Sequence, residues 1–261
     1  MAAVSSSPLP AAEARPLAIW NAATGLLHAL QGTLILVLAS GASLPVYASW
    51  TAGPPPIAKP IQGEPLFDLP IGLTVAIFLY LAAIDHLIVA SRWGRPWYER
   101  NLARGINYAR WWEYSLSASL MTVLIAMLSG IRELTALVAI FGASAAMIFT
   151  GLLMERGSRP SHDVDWWPFW LGSVIGLAPW VAIGIQLVRS QVETGMVPGF
   201  VFAIFVSLLA LFALFPLNMW LQYERLGPWR DYLYGERGYI VLSLTAKSAL
   251  AWQVFAGALA A

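Results

Sequence analysis

The sequence predicts an all-α membrane protein, a bundle of seven transmembrane helices with a short β-hairpin in its longest connection. Three observations carry that reading. The 261 residues are 59% hydrophobic and only 11% charged, with a mean hydropathy of +0.67. A soluble domain carries about 25% charged residues, so this surplus of apolar surface needs lipid to face. Stretches of ~20 apolar residues, enough to cross a ~30 Å hydrocarbon core, occur at seven places. The breakers and charges fall between them. Composition also excludes several chemistries. With no cysteine there is no disulfide, thiolate metal site or thiol nucleophile, and a net charge of +1 gives no field for nucleic acid.

Residues 1–16, MAAVSSSPLPAAEARP, read as a disordered tail. They lack the basic start of a signal peptide, and Pro16 suits a helix beginning. Residues 17–261 form one domain. Its spans are expected at 17–39, 70–90, 107–128, 134–154, 167–188, 198–221 and 239–259. The connection at 40–69 is long and poor in charge. It contains Val46–Ala48 and Leu66–Leu69, which suggests an ordered hairpin rather than slack chain. Pro179 and Pro216 fall inside spans and are expected to kink them.

An odd number of spans puts the termini on opposite sides, and basic residues choose between them. Eleven lie on the N-terminal side: Arg15, Arg92, Arg95, Arg100, Arg104, Arg110, Arg156, Arg159, Arg225, Arg230 and Arg237. The other side has three: Lys59, Arg132 and Arg189. The N-terminus is therefore expected in the cytoplasm and the C-terminus outside. His162 falls in a connection and is expected to be solvated.

Of fifteen Lys and Arg residues, that distribution leaves Lys247, in YIVLSLTAKSALAWQVFAG. It lies about eight residues into the last span, or ~12 Å deep at 1.5 Å per residue. A charge at mid-bilayer costs ~2.5–3.5 kcal/mol even on lenient scales. It is either a structural lysine paired within the bundle or a Schiff-base, proton or ion site. Its natural partner is Glu113, in NYARWWEYSLSASLM, ~10 Å into the third span from the same side. Ser117 and Met121 continue the face of Glu113, and Ser243 stands one turn before Lys247. One close carboxylate tuned by hydroxyls suits a nitrogen that must keep its proton. Pumps and carriers more often show a chain of acids. Here Asp85, Glu99 and Glu155 all sit near N-terminal-side ends, and none leads outward.

Tyr114, Trp170 and Phe212 are the further candidate contacts of a flat apolar ligand, with core packing as the alternative for each. His28 lies near Thr24 and Gln31, and His86 follows Asp85. These are either hydrogen-bonded polar residues of a hydrated cavity or proton acceptors. Haem ligation by the two histidines needs matched depths, whereas counting from the span ends separates them by about 12 Å. No HxxxH or HExxH spacing supports a zinc hydrolase, no other enzyme chemistry is legible, and no metal site is expected. A cytoplasmic N-terminus opposes a G-protein-coupled receptor.

The stretches YIVLSLTAKSALAWQVFAG and RWWEYSLSAS, with span one around His28 and Gln31, AIDHLI in span two and LNMWLQYE in span six, resemble the heliorhodopsins. These are microbial retinal proteins of inverted orientation, and the likeness runs along nearly the whole chain. The resemblance implies all-trans retinal as a protonated Schiff base on Lys247, with Glu113 as the single counterion. Ser243 occupies the place where proton pumps of the wider group usually carry an aspartate. His28 and His86 would belong to the polar cavity that holds and returns the proton. The 40–69 loop would form a small sheet that assists dimerisation. A light sensor signalling to a cytoplasmic partner of unknown identity is implied, with a light-gated or light-driven ion transporter as the alternative.

Overall fold

The computed structural model describes residues 9–54, 60–158 and 164–260. Seven of its helices are long and apolar enough to span a membrane. They are α1 (Ala11–Leu38), α2 (Ile71–Ala90), α4 (Tyr108–Leu128), α5 (Leu134–Gly157), α6 (Trp167–Thr194), α7 (Gly199–Tyr223) and α8 (Tyr232–Val254). A helix satisfies its own backbone hydrogen bonds, which lipid cannot do, so apolar runs of this length fold this way. Their order round the bundle follows the chain. α1 packs on α2 and α8, α2 on α4, and α4 through α8 each on the next. α4 is the most enclosed of the seven, touching α2, α5, α6 and α7, which makes its side chains the ones that meet several neighbours at once.

The helices run beyond the apolar stretches at the end of the bundle that carries the N-terminus. α1 begins at Ala11, so the second part of the expected tail is helical and Pro16 lies inside the helix. Residues 1–8 fall outside the described chain, as do Lys59, Arg159 and His162. α8 begins at Tyr232, where Asp231 caps it by accepting from Leu233 N at 2.9 Å. Hydropathy marks where a helix enters lipid; capping side chains mark where it starts. The basic connection after α2 is also partly helical, as α3 (Arg95–Leu102). Pro96 sits in its first turn, and Tyr98 and Leu102, one turn apart, are buried against the bundle.

The described part of the 40–69 connection is ordered at the opposite end. β1 (Ser43–Val46) pairs antiparallel with β4 (Phe67–Pro70), and β2 (Ser49–Thr51) with β3 (Pro60–Gln62). Val46 is buried. Ser49 donates from N and Oγ to the Glu133 carboxylate at 2.7 and 2.9 Å, and Tyr47 N donates to Arg132 O. The small sheet is thereby fastened across the bundle to the turn between α4 and α5. α6 and α7 continue on both sides of Pro179 and Pro216.

Candidate functional site

α4 and α8 bring Glu113 and Lys247 together in the bundle interior. Lys247 Nζ lies 3.3 Å from Glu113 Oε2 and donates to Ser243 Oγ at 2.8 Å. Ser243 is positioned by helical geometry alone, one turn before the lysine. The ammonium also stands 4.8 Å from the centre of the Tyr114 ring, a cation–π distance. All four residues are buried. The other carboxylate oxygen, Oε1, has no partner among the described residues, and neither do Ser117 Oγ and Ser119 Oγ. The ionic pair is therefore incompletely saturated: a proton on Lys247 has two acceptors, and the acid keeps a free one.

Lys247 opens into a cavity of about 320 Å³, within the ~300–1,000 Å³ usual for small-molecule sites. Its walls are aromatic and aliphatic, with Trp111, Tyr114, Phe169, Trp180, Phe212 and Phe215 among them. Trp180 and Phe212 meet edge to face at 5.4 Å, as do Tyr114 and Phe215 at 5.5 Å. Trp111 lies flat over Gly151, where an added Cβ would come within 2.2 Å of the indole. A largely apolar slot with one amine and a few hydroxyls at its wall fits a long conjugated aldehyde that bonds to the amine. The residues present fit retinal.

Met121, Tyr114 and Phe212 line this cavity, and Ser117, though buried, does not. Trp170 is a correction. It is 59% exposed and points away from the cavity, while Trp180, not singled out from the sequence as a contact, is 8% exposed and forms part of the wall. The reason is helical phase. Phe169, Gly172, Ser173, Gly176 and Trp180 share the inward stripe of α6, and Trp170 lies 100° from Phe169, toward lipid.

The histidine depths are a second correction. His28 and His86 do not differ by about 12 Å; their rings stack at 5.9 Å with an interplanar angle of 16°. The overhang of α1 at the N-terminal end explains the difference in depth. Stacked rings present faces rather than nitrogens to each other, so they do not bracket a haem. His86 Nδ1 lies 2.7 Å from Asn21 Oδ1, whose amide nitrogen donates to Leu17 O at 2.9 Å. His28 is fully buried with neither ring nitrogen partnered among the described residues. Gln31 accepts from Trp252 Nε1 at 3.1 Å, tying α1 to α8.

Sequence reasoning placed Arg110 among the surface arginines and passed over Glu236. Both are buried. The Arg110 guanidinium pairs with Glu155 of α5 through one nitrogen and with Glu236 of α8 through another. Glu155 Oε2 accepts from Asn107 N at 2.9 Å and Trp111 Nε1 at 2.6 Å, and Glu236 Oε2 from Asn107 Nδ2 at 2.7 Å. Arg110 also lies 3.9 Å from the centre of the Tyr239 ring. The available signal was helical spacing, since Arg110 precedes Glu113 by three residues within one span.

A sequence profile of the heliorhodopsin family matches residues 17–259. No curated protein matches the chain by sequence. Two solved structures share its fold. The light-driven proton pump rhodopsin of Coccomyxa subellipsoidea is 17% identical, with a TM-score of 0.64 over 92% of this chain and 96% of that one. A light-driven proton pump from Leptosphaeria maculans is 13% identical, with a TM-score of 0.66 over 95% and 96%. Those identities speak to fold alone. The family match spans all seven membrane helices, so the chain belongs to the heliorhodopsins, multi-pass, retinal-binding membrane proteins of the rhodopsin fold.

Proposed function

We propose that this protein is a light sensor that carries all-trans retinal on Lys247 as a protonated Schiff base, with Glu113 as its counterion. The observation that carries the reading is the buried Lys247–Glu113 pair at 3.3 Å, set at the wall of an aromatic cavity. Bound retinal supplies light absorption and isomerisation. The remaining work belongs to the chain. Glu113 stabilises the positive nitrogen, and Ser243 offers a second acceptor that orients its N–H. The aromatic walls exclude water and hold the ligand in line. Glu113, or a group of the polar region around His28 and His86, takes the proton after illumination and returns it.

The distribution of polar side chains favours sensing over pumping. Among the described residues, the buried ionisable groups gather between Lys247 and the N-terminal end: Arg110, Glu113, Glu155, Glu236, His28 and His86. Toward the β-sheet end the interior is Leu124, Ile125, Met127, Leu250 and Val254, all fully buried. Among the described residues, a proton leaving Lys247 meets buried ionisable groups on one side only, which suits a return to its origin. The excess of basic residues supports a cytoplasmic N-terminus and an external C-terminus. The basic cytoplasmic face then meets a signalling partner, and the protein works as a homodimer in the lipid bilayer.

Reconstitution with all-trans retinal tests the pigment, and illumination of cells expressing it tests the output. A visible absorption band with no light-induced pH change or photocurrent is expected. A photocurrent that follows membrane potential would replace the sensor with a light-driven or light-gated transporter.

A further inference from the structure

A second, much smaller cavity lies on the N-terminal side of the retinal slot. Its volume is about 20 Å³, room for a single water. Tyr114 and Tyr239 line both cavities and so form the partition between them. The other walls come from five elements. They are Asn21 of α1, Asp85 and His86 of α2, Tyr98 of α3, and Arg110 of α4 with its cap Asn107; Glu236 of α8 completes them. Arg110 is 4% exposed, and its Nε–H has no partner among the described residues. A buried donor of that kind calls for an acceptor in the space it lines.

The acids around this space are not equivalent. Glu155 and Glu236 are each ion-paired to Arg110 and accept further N–H donors. Asp85 forms no ion pair with a described residue. A carboxylate in such a place, sharing a water-sized cavity with Glu236, is the one whose protonation removes an uncompensated charge. The remaining titratable neighbours are His86, with His28 stacked on it, and Tyr98, Tyr114 and Tyr239. Burial pushes the Tyr98 hydroxyl above its ordinary value, so it remains a neutral donor.

We infer that Asp85 is the group that stores the proton released at Lys247, reached through a water held in the cavity it shares with Arg110, Tyr98 and Glu236. The inference rests on the retinal reading of Lys247 and gives its transient acceptor a place. In the step, the N–H bond at the Lys247 nitrogen breaks and an O–H bond forms on Asp85. The reverse transfer restores the dark state, with no net proton released.

Light-minus-dark infrared spectroscopy of the retinal-loaded protein tests it. A carboxylic-acid carbonyl band should rise while the Lys247 nitrogen lacks its proton and decay as the proton returns. Carbonyl-13C labelling of aspartate should shift that band, and labelling of glutamate should leave it in place. Among the described aspartates, Asp85 alone lies in a membrane span. Asp85→Asn should keep the visible pigment, lose the band and slow proton loss from Lys247 by about ten-fold or more. If Asp85→Asn does not fold, the labelled wild type still decides. A glutamate-shifted band, no band at all, or a band that persists in Asp85→Asn would overturn the assignment to Asp85 and leave the pigment standing. Failure of the wild type to form a pigment would remove both.

Discussion

Two buried ionic sites lie about one helical turn apart on α4, and they are built differently. Arg110 sits between two carboxylates that are also held by a backbone amide, an indole and a side-chain amide. Glu113 has a single cation at 3.3 Å, a free Oε1 and a neighbouring serine with no partner. The first joins α4, α5 and α8 and resists rearrangement, because freeing one partner strands the others in low dielectric. The second has acceptors to spare, which is what a nitrogen that gives up and recovers a proton requires. On the proposed reading, the rigid site between the changeable one and the N-terminal face holds the helices while the proton moves.

Substitutions separate the two sites. Lys247→Ala should abolish the visible band completely while leaving the fold intact, as judged by circular dichroism. Loss of helicity along with the band would mean that the pair is structural. Arg110→Ala should act oppositely. It leaves two buried carboxylates uncompensated and should cost about 3–5 kcal/mol, read as a lower unfolding midpoint in detergent. Arg110→Lys keeps the charge but cannot bridge both acids with a planar fork. An intermediate loss of about 1–3 kcal/mol is expected; full stability would show that charge alone suffices. Ser243→Ala is the smallest change. Removing one hydrogen bond, worth about 1 kcal/mol, should lower the pH at which the visible band bleaches by about one unit.

The fold was legible because its signals are long. Seven apolar runs, a long charge-poor connection and a lysine without a surface position are each visible in one sequence. The Lys247–Glu113 pairing was legible because two spans that start on the same side place both residues at similar depth. Three features were not. Trp170 and Trp180 differ in helical phase, and phase depends on where α6 begins to pack, which hydropathy does not report. His28 and His86 meet because α1 overhangs the membrane-spanning region, so depth counted from a span end misleads. Arg110 resembled its neighbours in a basic connection until α5 and α8 supplied acids from 45 and 126 residues away. Local sequence carries no record of contacts that distant.

The central claim, that Glu113 holds the charge of a retinal nitrogen on Lys247, is tested most directly by titrating the visible band of Glu113→Gln against wild type. Loss of the carboxylate removes the only anion beside that nitrogen among the described residues. The account predicts a red-shifted band at low pH and bleaching at a clearly lower pH than in wild type. An unchanged band and an unchanged bleaching pH would contradict it.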